Sequence, residues 1–509
     1  MTSPLDNPAE ETAGPAVPSH DQLDRSLVGG VAWTAGVKWL SQILTWPATF
    51  IVVRLLAPED YGIVAMGSVY IGLVNLVNEF GLGSAIIKDR ALTDRQIAQI
   101  NGLCVLFGFA GFSVTIAAAY PLAVFYHTPA VRFVVIALSI NFFITSLKTV
   151  PLSLLQRDFE FRRSAINEAA GAIVQSTALV LFAFLGFKYW SLVIAFLLSS
   201  LTTTVLSYVQ RPHAIAWPVT KEIKSAITFG GHLVGSRIGW YLYTNADFFI
   251  VGSVLGQVAL GAYSFGWTFA TAPLEKVTSL IGRVSPPIFS AVQNESAALR
   301  RYVASLTSGI VLLTVPAGIG LALVTRDFVV VALGDRWLAA VDPLRLLALF
   351  AAARSVVPVI SQAGTNIGLA KEVMYNSIAS AIVMPLAFLI GSHWGTSGVA
   401  AAWLVAYPVV ALPLFRAVFK RIEMRVPQYL RALWPAVSST AVMIPAVLLA
   451  KFTLTGWPAV ARLAVEVVAG AITYIGAVRL LHPAEFLQAF RMVRGLRDPE
   501  PAVTLAASI

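Results

Sequence analysis

Seven ionisable residues stand inside otherwise apolar stretches of this sequence: Lys38, Glu79, Arg237, Asp247, Glu275, Lys276 and Arg283. Such groups are costly in hydrocarbon and usually face a bundle interior or a wet cavity. Lys276 and Arg283 are seven apart, which puts them on one face of a helix about 10 Å from each other. Arg237 lies roughly 11 residues into its apolar run, a depth of ~16 Å at 1.5 Å per residue. Gly231, Gly235 and Gly239 form a small-residue stripe around it, and such a stripe allows a close helix neighbour. Arg237 is about 200° around the helix from the nearest glycines and is expected to project into a cavity. Asn75 and Glu79 likewise share a face. Arginine offers a bidentate fork and lysine a point charge, a pairing suited to a phosphate-type anion. Lys38, Arg237, Lys276 and Arg283 are therefore candidate substrate-binding residues. Glu79, Asp247 and Glu275 are candidates for ion coupling or gating. The competing reading is a set of interhelical ion pairs, such as Lys38 with Glu79, that close a gate or hold helices together.

The elements that carry these residues follow from composition. Of 509 residues, 57% are hydrophobic and 12% charged, with a mean hydropathy of +0.76. A soluble domain carries about 25% charged residues, and single soluble cores stop growing beyond ~250–300 residues. Residues 189–209, 303–325 and 373–415 hold no Asp, Glu, Lys or Arg. Blocks of about 20 apolar residues match the hydrocarbon thickness of a bilayer. The chain reads as an all-α polytopic membrane protein, and soluble enzymes, disulfide scaffolds and collagens are excluded. Expected spans lie at 29–56, 61–87, 99–125, 131–155, 165–186, 189–209, 225–255, 258–290, 303–325, 342–363, 373–391, 396–415, 432–450 and 459–478. Between the eleventh and twelfth only Gly391-Ser392-His393-Trp394-Gly395 marks a turn. Prolines inside spans (Pro47, Pro273, Pro316, Pro358, Pro385, Pro408) are expected to bend them.

Charge sets the orientation. With a cytoplasmic N-terminus, the inside loops and tails hold 22 of the 36 Lys and Arg residues and the outside loops only four: Lys188, Arg326, Arg336 and Lys451. The positive-inside rule then puts both termini in the cytoplasm. The net charge of +10 is mainly a topology signal, and no nucleic-acid partner is needed to explain it. Residues 1–24 are polar, acidic and Pro-rich, and are expected to form a disordered cytoplasmic tail with no cleavable signal peptide.

Two stretches match at an offset of 199 residues. Phe50-Ile51-Val52, Leu56, Gly62 and Gly67 align with Phe249-Ile250-Val251, Leu255, Gly261 and Gly266, and Lys38 falls on Arg237. An even-numbered repeat implies two six-helix lobes related by a pseudo-two-fold axis along the membrane normal, with a site between them. The expected divisions are 25–210, 211–420, two additional helices in 421–481, and a cytoplasmic tail at 482–509.

Other chemistry finds little footing. The six histidines show no ligand spacing, and with the single Cys104 no local zinc site or internal disulfide can be assembled. There is no Walker A sequence, and Gly81-Leu82-Gly83 lacks the third glycine of a dinucleotide fingerprint. No cofactor is expected. The longest expected outside loop, 326–341, carries no paired carboxylates beyond Asp327 and Asp335 beside Arg336. Arg345 and Arg354 stand apart from the cavity scheme and are candidates for contact with lipid headgroups or with a bound lipid on the outside of the second half.

Three runs carry a family resemblance: Arg54-Leu55-Leu56-Ala57-Pro58-Glu59-Asp60-Tyr61-Gly62, Glu79-Phe80-Gly81-Leu82-Gly83-Ser84-Ala85-Ile86-Ile87, and Leu155-Gln156-Arg157-Asp158-Phe159-Glu160-Phe161-Arg162. The sequence resembles Wzx-type polysaccharide flippases of the multidrug/oligosaccharidyl-lipid/polysaccharide exporter superfamily, in the lipopolysaccharide and exopolysaccharide branch. The likeness runs from about residue 25 to 480. It implies a non-enzymatic transporter of the bacterial inner membrane that moves an undecaprenyl-pyrophosphate-linked oligosaccharide by alternating access. The first, second, seventh and eighth spans would line the cavity. Membrane lipid and the polysaccharide polymerase machinery are the implied partners. Alternatives are a drug or metabolite exporter of the same superfamily, which calls for a more acidic cavity, and a membrane glycan ligase or polymerase, which calls for catalytic side chains in a sizeable outside loop.

Overall fold

The computed structural model describes residues 42–43, 45–79, 81–293 and 295–487, and every regular element among them is helical. The first helix, α1, is described over 45–55. The first lobe continues with α2 (Pro58–Glu79), α3 (Leu82–Lys88), α4 (Asp94–Phe125), α5 (Ala130–Arg157), α6 (Phe161–Phe184) and α7 (Tyr189–Gln210). The second comprises α8 (Lys224–Thr244), α9 (Ala246–Ile250), α10 (Gly256–Ala291), α11 (Ser296–Ala332), α12 (Val341–Arg354), α13 (Val357–Asn366), α14 (Ala370–Ser392) and α15 (Gly395–Arg421). Two further helices follow, α16 (Val426–Thr453) and α17 (Ala459–Leu481). Eleven segments among the described residues are long and apolar enough to cross a membrane.

From the second onward, each expected span coincides with helix, but the helices overrun the apolar runs. The helix α4 starts at Asp94 rather than 99, and α11 extends over Ser296–Ala332 rather than 303–325. Apolarity reports only the hydrocarbon layer, whereas the helix continues until a cap or breaker stops it. For α4 that cap is Thr93: its hydroxyl accepts from the Gln96 backbone N at 3.3 Å while the Gln96 side chain accepts from the Thr93 N at 2.9 Å, a capping box.

Three expected spans are broken. The second divides at Gly81, whose φ of 59° is left-handed and ends α2 before α3 begins. The seventh divides into α8, α9 and a π-helical turn, Val251–Leu255, before Gly256 at φ 83°. The tenth divides at Ser355 and Val356, just ahead of Pro358 in the first turn of α13. The Gly391–Gly395 turn is where it was expected, between α14 and α15.

Helix packing follows the sequence repeat. In the first lobe α4 packs on α5, α6 on α7, and α5 on both α2 and α7. In the second α11 and α10 pack on α12, and α14 and α12 on α15. The pair α16–α17 packs together and against α11, and α2 meets α10 where the lobes join.

The loops sort by parity to two ends of the bundle. At one end the 57–60, 187–189, 256–257 and 326–341 segments touch, through Glu59 with Gln257, Asp60 with Tyr189 and Arg54 with Val331. At the other end the 88–98, 156–164 and 210–224 segments meet, through Arg157 with Arg90, Arg211 with Asp158 and Arg95 with Glu222.

The apolar cores differ between these ends. One continuous core crosses the lobe boundary at the 57–60 end and includes Val53, Met66, Val134, Tyr263, Trp337 and Trp403. Toward the other end the core separates. One cluster holds Leu82, Ile86, Ile100, Cys104 and Val150, and another holds Phe289, Val303, Ile360, Val418 and Tyr429. Among the described residues the lobes share one apolar core at the 57–60 end, whereas at the other end their clusters are distinct and α8 reaches the first lobe through Ile227 beside α3.

Candidate functional site

Of the seven buried-charge candidates, Lys38 lies outside the described residues, as does the 1–24 tail. Glu79 falls on α2, Arg237 on α8, and Lys276 and Arg283 on α10, but their side chains are likewise outside the described set. The backbone therefore puts Arg237, Lys276 and Arg283 on the first two membrane elements of the second lobe and Glu79 on the corresponding part of the first. Glu275 is exposed on α10. The stripe expected on α8 does not pack at Gly239, where an added Cβ would meet nothing within 4 Å. The adjacent Trp240 is also exposed. Close contact between α8 and α2 instead comes from Tyr241, whose hydroxyl donates to the Val69 carbonyl at 2.8 Å beside Gly72.

Asp247 is fully buried on α9. Its Oδ2 accepts from the Tyr263 hydroxyl at 2.8 Å and from Trp403 Nε1 at 3.0 Å, and its Oδ1 accepts from the Phe248 backbone N at 2.9 Å. Trp267, Phe350, Phe388 and Tyr407 surround the Trp403 ring, with centroids 4.9–5.8 Å away. A carboxylate that deep needs such donors, because an unpaired buried charge is prohibitively costly. This arrangement ties α9 to α10 and α15 within one lobe.

The residues that join the lobes are those of the Arg54–Gly62 run, which the sequence shows as a signature without showing its task. Arg54 donates to the Val331 carbonyl at the C-terminal end of α11. Val53 O accepts from Trp337 Nε1 at 3.1 Å. Pro58 opens α2, where its missing N–H is no loss. Asp60 bonds within the first lobe, accepting from the Ala57 N and the Tyr189 N, both at 3.0 Å. Tyr61 sets its ring edge-on to Phe265 and Trp337, with centroids 5.0 and 5.3 Å away.

At the seam itself the contacts are reciprocal. The α-carbon of Gly62 lies against the Gln257 carbonyl, and that of Gly261 against the Pro58 carbonyl. Positions 62 and 261 are repeat mates, and so are 58 and 257. One layer away each lobe also meets an aromatic ring of the other, though not at matching repeat positions: Trp337 bonds Val53, and the Tyr126 ring packs on Gly252, the repeat mate of Val53. A two-fold interface brings i to j and j to i, so the pseudo-two-fold axis passes between α2 and α10. The signal that could have found this seam was the paired glycines of the repeat.

A second polar cluster, not singled out from sequence, fixes the additional helix pair. Asp327 on α11 accepts from Arg462 on α17, with Nε at 2.9 Å, and Lys451 on α16 donates to the Leu323 carbonyl at 3.1 Å. Glu466 is fully buried on α17. Arg345 pairs with Asp342 at 3.7 Å, and Arg354 sits over the rings of Phe350 and Tyr407, 5.8 and 5.9 Å from their centroids. Arg354 is thereby part of the packing around Trp403.

Comparison with known proteins agrees with this architecture. A family model described as "Polysaccharide biosynthesis protein" matches residues 51–342. The lipopolysaccharide biosynthesis protein WzxC of Escherichia coli (strain K12) is 22% identical over 425 residues, covering 81% of this chain and 85% of that protein. The succinoglycan biosynthesis transport protein ExoT of Rhizobium meliloti (strain 1021) is 27% identical over 330 residues, covering 62% of this chain and 65% of that one. Among solved structures, the lipid II flippase MurJ in an inward closed conformation superposes with a TM-score of 0.66 at 15% identity, covering 88% of this chain and 98% of that chain. That likeness is one of fold, a two-lobed helical membrane bundle. The family match spans more than half the sequence and includes both halves of the seam. The chain belongs to the polysaccharide biosynthesis protein family.

Proposed function

We propose that this protein carries an undecaprenyl-pyrophosphate-linked oligosaccharide across the bacterial inner membrane by rocking of two lobes, 25–210 and 211–420, with 421–481 moving with the second. The observation that carries this reading is the seam. Among the described residues the lobes share one core at the Gly62–Gly261 end, while at the other end their clusters are distinct and meet only where α8 lies against α3, an asymmetry that suits one state of an alternating-access cycle. With both termini cytoplasmic, the fused end faces the periplasm. The relatives' names, among them a probable low-salt glycan biosynthesis flippase of Haloferax volcanii, support a glycan carrier over a drug exporter.

The pyrophosphate sits on Lys38 and Arg237, with Lys276 and Arg283 further along the same path. The sugars occupy the wet space between lobes while the prenyl chain stays in lipid. Glu79 and Glu275 remain the carboxylates for ion coupling; Asp247, saturated by donors within its own lobe, has a positioning role. A polysaccharide polymerase receives the product. Complementation of a flippase-null strain tests the cation site. Lys38→Ala and Arg237→Ala are expected to abolish polymer while the protein remains in the membrane, and wild-type polymer from both would overturn it.

A further inference from the structure

The connection between α7 and α8 is neither helix nor free loop. Residues 212–219 form no helix and lie along the first turns of α4, and burial alternates from Ile215 to Val219 as it does along an extended backbone. The Ala216 N donates to the Ala98 carbonyl at 3.0 Å, and Asn101 Nδ2 donates to the Ala214 carbonyl at 3.2 Å. Further on, the Gln96 amide donates to the Glu222 carbonyl at 3.0 Å and Gln99 Nε2 to the Glu222 carboxylate at 2.8 Å. The Ala216 carbonyl lies so close to Gly102 that any side chain there would collide with it. The strap is bolted to the first lobe.

An extended backbone turns alternate side chains to opposite sides. Ala216 and Pro218 turn toward α4, whereas Ile215, Trp217 and Val219 turn away and are 51%, 78% and 39% exposed. Nothing among the described residues covers these three. The α4 face they adjoin carries Gly102 beneath the strap and, further along the helix, the exposed Leu106 and Phe109, residues spaced three and four apart on one side of the helix. That face meets lipid chains, so the strap lies where the lipid face ends. Exposed Lys221 and Lys224 follow it, and Arg211, paired with Asp158 at 2.8 Å, precedes it. Tryptophan between an apolar face and basic residues suits the headgroup layer, where its ring can be half in lipid and half in water. Lysines just outside that layer attract anionic lipid.

We propose that residues 212–224 form an interfacial anchor for the leaflet at this end of the bundle. Ile215, Trp217 and Val219 lie in the headgroup–acyl boundary, and Lys221 and Lys224 lie on anionic phospholipid headgroups. Because the strap is fixed to α4, the anchor holds the first lobe against the membrane surface, and the polypeptide between the lobes can flex only after residue 223. The inference rests on the strap's geometry alone and does not depend on what the protein transports.

The test uses the full chain in nanodiscs of phosphatidylethanolamine with phosphatidylglycerol, and in nanodiscs of phosphatidylcholine alone. The chain has 12 tryptophans, so the signal of Trp217 is the difference between the wild type and Trp217→Phe. That difference is expected to be blue-shifted and quenched by lipids brominated near the top of the acyl chain, more strongly with phosphatidylglycerol present. Lys221→Gln with Lys224→Gln is expected to remove the dependence on phosphatidylglycerol at an unchanged melting temperature. Water-like emission insensitive to brominated lipid would overturn the anchor. Quenching indifferent to phosphatidylglycerol in the wild type would overturn its anionic partner.

Discussion

Gly62 and Gly261 touch across the two lobes, with the Gly62 nitrogen 3.1 Å from where a Cβ on Gly261 would stand. They are 199 positions apart and occupy the same place in each half of the repeat. Each lies against a backbone carbonyl of the opposite helix, so neither site can yield by turning a side chain. Gly62→Ala and Gly261→Ala are each expected to cost about 1–3 kcal/mol through overpacking. Because both changes push the same pair of helices apart, the double variant should lose less than the sum. Melting of the purified variants in detergent checks both statements.

The seam should be lockable. Glu59 Oε1 accepts from Gln257 Nε2 at 2.6 Å across the lobes. With cysteines at both positions, an oxidant is expected to form an intramolecular cross-link visible on a gel. Polymer export should stop on oxidation and return on reduction. Full export with the bond quantitatively formed would mean that the seam does not open.

Trp337→Phe keeps the ring against Tyr61 and Phe265 but leaves the Val53 carbonyl without its donor. A buried acceptor stripped of its partner costs about 1–3 kcal/mol. The loss falls on the fused end, so a cysteine at Val53 should become more reactive toward a membrane-impermeant thiol reagent.

Asp247→Asn separates two roles for this carboxylate. An amide keeps one acceptor oxygen and must set its NH2 against either the Tyr263 and Trp403 donors or the Phe248 backbone N–H, so a positioning role predicts lower thermal stability by about 1–3 kcal/mol and proportionately lower export. Unchanged melting with export abolished would instead return Asp247 to the coupling residues.

Arg462→Ala leaves Asp327, 2% exposed, without its partner. Removing one member of a buried ion pair costs about 3–5 kcal/mol. The α16–α17 pair should detach from α11 and become sensitive to protease near residue 454, while the rest of the chain stays protected.

Much of this architecture was legible from residue order alone. Bilayer thickness imposes a length on apolar runs, so the spans could be counted, and the lysine and arginine sorting matched the segregation of loops to two ends. The breaks at Gly81 and around Ser355 were not legible, because a mean over 20 residues is indifferent to one left-handed glycine or one proline. The candidate site was legible only as chemistry. Burial in an apolar run marked Asp247, but whether its partners are a substrate, an ion or Tyr263 and Trp403 depends on contacts 16 and 156 positions away. The Arg54–Gly62 run was visible as a signature, and its task emerged only when Gln257, Val331 and Trp337 were found against it.

The central claim is that the lobes part at the Gly62–Gly261 seam to release a polyprenyl-pyrophosphate-linked oligosaccharide on the far side. Its most direct test is the protein in liposomes loaded with a fluorescent lipid of that class, read by loss of outer-leaflet signal to a membrane-impermeant quencher. Wild-type protein should equilibrate the lipid between leaflets, and the oxidised Glu59→Cys/Gln257→Cys variant should not until it is reduced. Equal rates in the locked and reduced protein, or no acceleration over protein-free liposomes, would contradict the account.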